Sequence, residues 1–148
     1  MPITDSDIAA AIAVYLDRYP EEKADLTEPV RLLAEGENFA SRRHFSMHVT
    51  VGALLTRGGD EVLLVGHRAY GIPLQPGGHL EPDDTTLTGA ALHELVEETG
   101  IDPIATGLIS SVGFRPDRRR TSRSIFISMS DSPLQRRTAM WEMCKLQR

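Results

Sequence analysis

Apolar residues return every three or four positions across residues 5–18, with Ile8, Ile12, Tyr15 and Leu16 on one stripe, the spacing of a helix with one buried face. Asp5 or Ser6 offers a cap at its start. Tyr19-Pro20 ends it, because proline disfavours helical geometry in the residue before it. A second, shorter helix is predicted over residues 27–35, with Thr27 as cap, Pro29 in the first turn and Gly36 as the stop. The period then changes. Residues 48–56 (HVTVGALLT) and 61–66 (EVLLVG) are rich in β-branched and aliphatic side chains, and the turn Arg57-Gly58-Gly59-Asp60 between them makes a hairpin. A Gly- and Pro-dense loop follows over residues 67–84. A third helix is predicted over about residues 86–99, capped by Asp84 or Thr85 and closed by Gly100 in left-handed geometry. Strands are predicted over residues 106–114 and 124–130.

With 148 residues, the chain has the length of one domain and can bury a proper core. No apolar run approaches the roughly 20 residues that cross a membrane as a helix, so no membrane partner is expected. The opening MPITDSDIAA carries acids where a secretion signal carries bases. Cys144 is the single cysteine, which excludes a disulfide within the chain and makes a reducing cytoplasm the expected setting. The net charge of −5 is unevenly spread: residues 1–114 hold 7 Lys/Arg against 18 Asp/Glu, and residues 115–148 hold 9 against 3. A basic tail can contact phosphates or nucleic acid, but the acidic body and the lack of interleaved aromatics speak against nucleic acid as the partner. A solvated terminus is the plainer reading of the arginines.

The third helix carries the candidate chemistry. Glu94, Glu97 and Glu98 stand at i, i+3 and i+4 in its last two turns and project from one face. The C-terminal end of a helix is already partly negative, and like charges at this spacing repel. Three carboxylates gathered against both effects point to a compensating cation, and oxygen-only ligands favour a hard ion, Mg²⁺ or Mn²⁺. A bare E-x-x-E-E would otherwise be an ordinary acidic surface. Leu87, Ala91 and Leu95 occupy the opposite side and suit packing on a sheet.

Residues 77–101, GGHLEPDDTTLTGAALHELVEETGI, resemble the Nudix box of the Nudix hydrolase family. That pattern runs glycine, five residues, glutamate, seven residues, then Arg-Glu-U-x-Glu-Glu-x-Gly-U, with U aliphatic. Gly78 matches its first glycine; Glu94, Leu95, Glu97, Glu98, Gly100 and Ile101 match its second half in register. With the flanking strands the resemblance covers roughly residues 45–114. Two positions depart from it. Counted from Gly78, the first glutamate position falls on Asp84, with eight residues rather than seven before His93. His93 itself stands where the family has arginine.

The resemblance implies an α+β fold, a Nudix-type mixed β-sheet sandwiched between helices. Here a helical extension over residues 1–44 would precede a Nudix domain over residues 45–148 that is atypical from about residue 115. It implies hydrolysis of a diphosphate linkage in a nucleoside diphosphate derivative or related small molecule. Glu94, Glu97, Glu98 and the carbonyl of Gly77 would hold the metal, and Glu97 or Glu98 would act as base. Arg68 and His79 are the candidate substrate contacts. His44 and His48 lack metal-ligand spacing and read as structural. The alternative is a Nudix-fold module that binds a nucleotide or phosphorylated metabolite without turning it over. Beyond Arg115 the hydrophobic pattern weakens apart from SIFISMS; one hypothesis is a divergent end that leaves the sheet incompletely built, with an open edge for a homodimer partner to cover, and a strand over residues 124–130 paired inside the main sheet would sink it.

Overall fold

A computed structural model of the chain describes residues 1–43, 48–57, 61–68, 71–103, 109–115 and 123–130. Helix α1 spans Asp5–Arg18, and helix α2 spans Lys23–Glu35 after a short 3₁₀ turn at Pro20–Glu22. Strands β1 (Val49–Arg57), β2 (Glu61–Val62), β3 (Val65–His67), β4 (Ile72–Leu74) and β5 (Gly77–His79) precede helix α3 (Leu87–Thr99). Strands β6 (Ile109–Arg115) and β7 (Arg123–Ser130) follow. The expected turn residues 58–60, together with His44, Tyr70, Trp141, Cys144 and the arginines at 118–120, lie outside the described residues.

The first helix runs over the expected residues, but its cap is Thr4 rather than Asp5 or Ser6. The Thr4 hydroxyl accepts from the Asp7 amide at 3.3 Å, and the Asp7 carboxylate accepts from the Thr4 amide at 2.9 Å. This reciprocal box satisfies two otherwise orphaned donors. The second helix starts four residues earlier than expected. Thr27 does not cap it: its hydroxyl donates to the Lys23 carbonyl one turn back at 2.8 Å. Pro29 therefore sits inside the helix, where it has no N–H to offer, and it is buried on the same face as Leu26 and Leu33. Gly36 closes the helix with φ of 70°, as expected.

The main sheet runs β2-β1-β7-β6, with β5 also paired to β1. The β1–β7 pair is parallel and the rest are antiparallel, so the sheet is mixed. Strand β7 lies between β1 and β6 and pairs with β1 from Val49↔Arg123 to Thr56↔Ser130. That overturns the expectation of a sheet left unfinished after Arg115, and with it the missing strand that a dimer partner would have replaced. The stretch EVLLVG is not one strand. Its pairing with β1 ends at Leu63, whose amide donates to Leu55 O at 2.9 Å. Val65 onward then forms a separate hairpin with β4. Strands β4 and β5 also break up what the sequence presents as one loop.

One hydrophobic core joins these parts. Ile8, Ile12 and Tyr15 of α1 and Leu26 and Leu33 of α2 cluster with Val49, Val51 and Ala53 of β1 and with Leu87, Ala90, Ala91 and Leu95 of α3. The N-terminal helices are thus continuous in packing with the sheet. Ile8, Ala53, Ala91 and Leu95 are fully buried, and a buried leucine or isoleucine contributes about 1.5–3 kcal/mol relative to exposure. With α3 fixed on β1 and β5, its last two turns are set beside the Gly77–Gly78 segment.

Candidate active site

Helix α3 begins at a Thr86 cap whose hydroxyl accepts from the Gly89 amide at 3.0 Å. Asp84 and Thr85 were the expected caps. Asp84 is occupied elsewhere: its carboxylate accepts from the Glu81 amide at 2.7 Å, and its own amide donates to Glu81 O at 3.0 Å. This tight turn takes up the extra residue of the motif ahead of the helix, so the register of the glutamates is unaffected. Gly100 ends the helix in left-handed geometry, φ 72°, with its amide on Val96 O. The last turn holds no basic residue, so nothing on the helix itself offsets its partly negative end.

Glu94 is half-buried against β5. A β-carbon placed on Gly78 would stand 2.6 Å from Glu94 Cδ and 2.7 Å from its Oε2. The missing side chain at Gly78 is the space the carboxylate fills. Burial raises the affinity of Glu94 for a proton above the ordinary carboxylate value; the charges of Glu97 and Glu98 raise it further, His93 opposes them, and Asp84 adds a smaller upward push. Glu98 reaches the same strand from the next turn, where its Oε2 accepts from the Gly77 amide at 3.1 Å. Glu97 is exposed, and His93 Nε2 stands 3.3 Å from its Oε1. His93 therefore touches a glutamate of the face, but as an exposed pair of limited strength.

The strand register frees Gly77. The Ala53 amide donates to Pro76 O at 2.9 Å, which makes Gly52↔Gly77 the next, non-hydrogen-bonded pair of the β1–β5 ladder. The N–H and C=O of Gly77 then both turn away from β1. The amide meets Glu98, and the carbonyl shares that outer edge. Two carboxylates, Glu94 and Glu98, are thereby held beside β5, and exposed Glu97 stands at the same end of α3. Among the described residues no three His, Cys, Asp or Glu side chains close on one point, so this is an open face rather than a cage. Open faces suit Mg²⁺, which takes one or two carboxylates and keeps its other positions for water and phosphate oxygens.

The two expected substrate contacts fare differently. Arg68 is exposed on the β3–β4 hairpin, and no hydrogen bond or ion pair among the described residues links it to the glutamates. His79 is half-buried at the end of β5, and its Nε2 lies 3.2 Å from His48 Nε2. Burial lowers its proton affinity, and His48 and Arg42 lower it further. The histidine pair was not legible in sequence, where His48 read as structural. The β1–β5 register that joins the two rings is a non-local feature without a local signature.

Comparison with known proteins identifies the family. A family model described as NUDIX domain matches residues 46–144. Among solved structures, a bifunctional NMN adenylyltransferase/ADP ribose pyrophosphatase from Francisella tularensis is 29% identical, with a TM-score of 0.45 over 74% of this chain and 32% of that one. The same enzyme complexed with AMP and a Mn ion is 27% identical, with a TM-score of 0.44 over 80% of this chain and 36% of that one. Shewanella oneidensis NrtR is 27% identical, with a TM-score of 0.40 over 55% of this chain and 41% of that one. The chain therefore spans well under half the length of these structures. No curated protein matches it.

Proposed function

Because the chain belongs to the Nudix family, we propose that it is a metal-dependent pyrophosphohydrolase acting on a nucleoside diphosphate derivative or a related small diphosphate. The observation that carries the reading is the placement of Glu94 against Gly78 and of Glu98 against Gly77, with Glu97 beside them on the same end of α3. Its donors are all oxygen, its charges repel, and the half-buried Glu94 is strained toward its protonated form. A hard divalent cation relieves each of these, so the residues fit Mg²⁺ or Mn²⁺. Glu94, Glu97, Glu98 and the Gly77 carbonyl would hold it. Once bound, the ion would neutralise the diphosphate and lower the pKa of a water molecule.

The chain's own groups then have definite tasks. Glu97 or Glu98 takes the proton of the attacking water as general base. Of the two, Glu97 is the one without a tie to β5. The water oxygen bonds to phosphorus, the anhydride P–O bond breaks, and two phosphoryl products leave. Arg68 is the group we assign to substrate contact; His79, expected beside it, takes the face of the sheet opposite Gly78 and the glutamates. No described helix is long and apolar enough to cross a membrane, and a cytoplasmic setting is our assignment. The second reading is a binding module of the same fold, favoured by His93 in place of arginine.

The purified chain incubated with Mg²⁺ or Mn²⁺ and a panel of diphosphates (nucleoside triphosphates, sugar nucleotides, ADP-ribose, dinucleoside polyphosphates) separates the readings. Metal-dependent turnover that a Glu97→Gln/Glu98→Gln variant lacks is the expected result. A ligand that raises the melting temperature without being cleaved would replace the hydrolase with the binding module.

A further inference from the structure

Two histidines meet on the sheet face that α3 does not cover. Side chains alternate between faces along a strand. Gly78 lies opposite Val51; Val51 packs in the core with Leu95 of α3, and Gly78 lies under Glu94 of the same helix. Their face therefore belongs to α3. His79 lies opposite Thr50, one residue along from that pair, and takes the other face. His48 stands two residues before Thr50, which makes it the diagonal cross-strand neighbour of His79 on that face.

The rings lie in a stacked arrangement with their Nε2 atoms close together. Nε2 to Nε2 is 3.2 Å, the ring centroids are 5.0 Å apart, and the planes differ by 28°. Two imidazoles bound to one tetrahedral ion at about 2.0–2.1 Å each place their nitrogens about 3.3 Å apart and their ring centres about 5.2 Å apart. The two distances therefore lie within a few tenths of an ångström of that arrangement, with backbone supplied by two paired strands. Both rings are only half-buried, so an ion can reach them.

We infer that His48 and His79 form a two-imidazole clamp, through Nε2 of each ring, for a divalent transition-metal ion of the Zn²⁺ class. Imidazole selects such ions over Mg²⁺, which sets this site apart in chemistry as well as in place from the carboxylates of α3. Among the described residues no third His, Cys, Asp or Glu completes a ligand set, so the remaining positions fall to water or another small ligand. The affinity is limited for a second reason. Among the described residues Nδ1 of His48 is buried without a hydrogen-bond partner, and ligating histidines are normally oriented by an acceptor at their second nitrogen. Binding weaker than that of a structural zinc site is the result.

The test is calorimetric titration of the metal-free chain with Zn²⁺ in a large excess of Mg²⁺, which occupies the carboxylate face. The wild type and the Glu97→Gln/Glu98→Gln variant should bind alike, whereas His48→Gln and His79→Gln each weaken binding at least tenfold. ¹⁵N NMR of the wild-type imidazoles needs no substitution: the Nε2 resonances of His48 and His79 should move on adding Zn²⁺. Histidine variants that bind Zn²⁺ like the wild type, or His48 and His79 resonances that stay put, overturn the clamp and leave the pair as a hydrogen bond only.

Discussion

The carboxylate of Glu94 fills the space that a side chain on Gly78 would occupy, with Glu94 Cδ 2.6 Å from the position of a β-carbon there. The neighbouring glycine is tight for a different reason. A β-carbon on Gly77 would stand 2.5 Å from Val51 O and 2.8 Å from Gly52 Cα, both backbone atoms of a paired strand. The two positions therefore separate function from folding. Gly78→Ala should leave the melting temperature nearly unchanged, because a flexible side chain yields. It should lower Mn²⁺ affinity about 10–100-fold, as displacement of a ligand's support does. Gly77→Ala should cost about 1–3 kcal/mol in stability as an overpacked site. Thermal unfolding beside Mn²⁺ titration by electron paramagnetic resonance reads both.

Glu94 makes stability depend on pH in a direction opposite to that of a salt-bridged carboxylate. Its folded-state pKa is raised above the ordinary 4.5, chiefly by burial. Just above that ordinary value the native chain holds a proton that the unfolded chain has released, so stability falls as pH rises through this window. Above the raised value the whole penalty is present. Glu94→Gln removes it: the metal-free variant should melt higher than the metal-free wild type at neutral pH, by about 2–4 °C for each kcal/mol relieved. The gap should close on acidification, and unfolding scans across pH measure it. Saturating Mn²⁺ should reverse the order, since the wild type alone gains the ion's full binding energy.

His93 contacts Glu97 across one turn with both side chains more than half exposed. Such a pair is worth about 0.2–1 kcal/mol. His93→Arg should therefore raise metal-dependent turnover by at most about fivefold, and His93→Ala should lower it by a similar factor, with melting temperatures hardly moved. Steady-state kinetics at saturating metal decide the point; a loss of activity in the arginine variant would show that the histidine is suited to this chain.

The N-terminal helices should behave as part of the folded unit. Ile8 is fully buried in the cluster that also holds Val51 and Leu95. Ile8→Ala should destabilise the whole chain by about 2–5 kcal/mol, in a single transition shared by the N-terminal helices and the sheet. Chemical denaturation followed by both circular dichroism and amide hydrogen exchange of β1 tests whether the two probes coincide.

What the sequence made legible follows from range. The helix that carries Glu94, Glu97 and Glu98 depends on helical spacing and a glycine stop, both local, and α3 runs over nearly the expected residues. The span of α1 was equally plain from Ile8, Ile12, Tyr15 and Pro20. Its cap was not, because Asp5 and Ser6 are caps of the same chemical quality as Thr4; only the Thr4–Asp7 box separates them. The short strands β4 and β5 were hidden among prolines and glycines, since three residues give no period to read. The place of β7 between β1 and β6 depends on pairing across the chain, and its arginine- and serine-rich surroundings gave no hint of it. The meeting of His48 with His79 and the closeness of Gly78 to Glu94 are set by register and helix docking, which no local pattern carries.

Diphosphate cleavage by the glutamate face of α3 through a bound divalent ion can be read by ³¹P NMR of a nucleoside diphosphate derivative incubated with the chain and Mg²⁺ in ¹⁸O-enriched water. The wild type should lose the diphosphate resonances and place one ¹⁸O atom in a phosphoryl product, and Glu97→Gln/Glu98→Gln should do neither. Cleavage that persists undiminished in that variant, or that proceeds equally well in excess chelator, would contradict that role of the face.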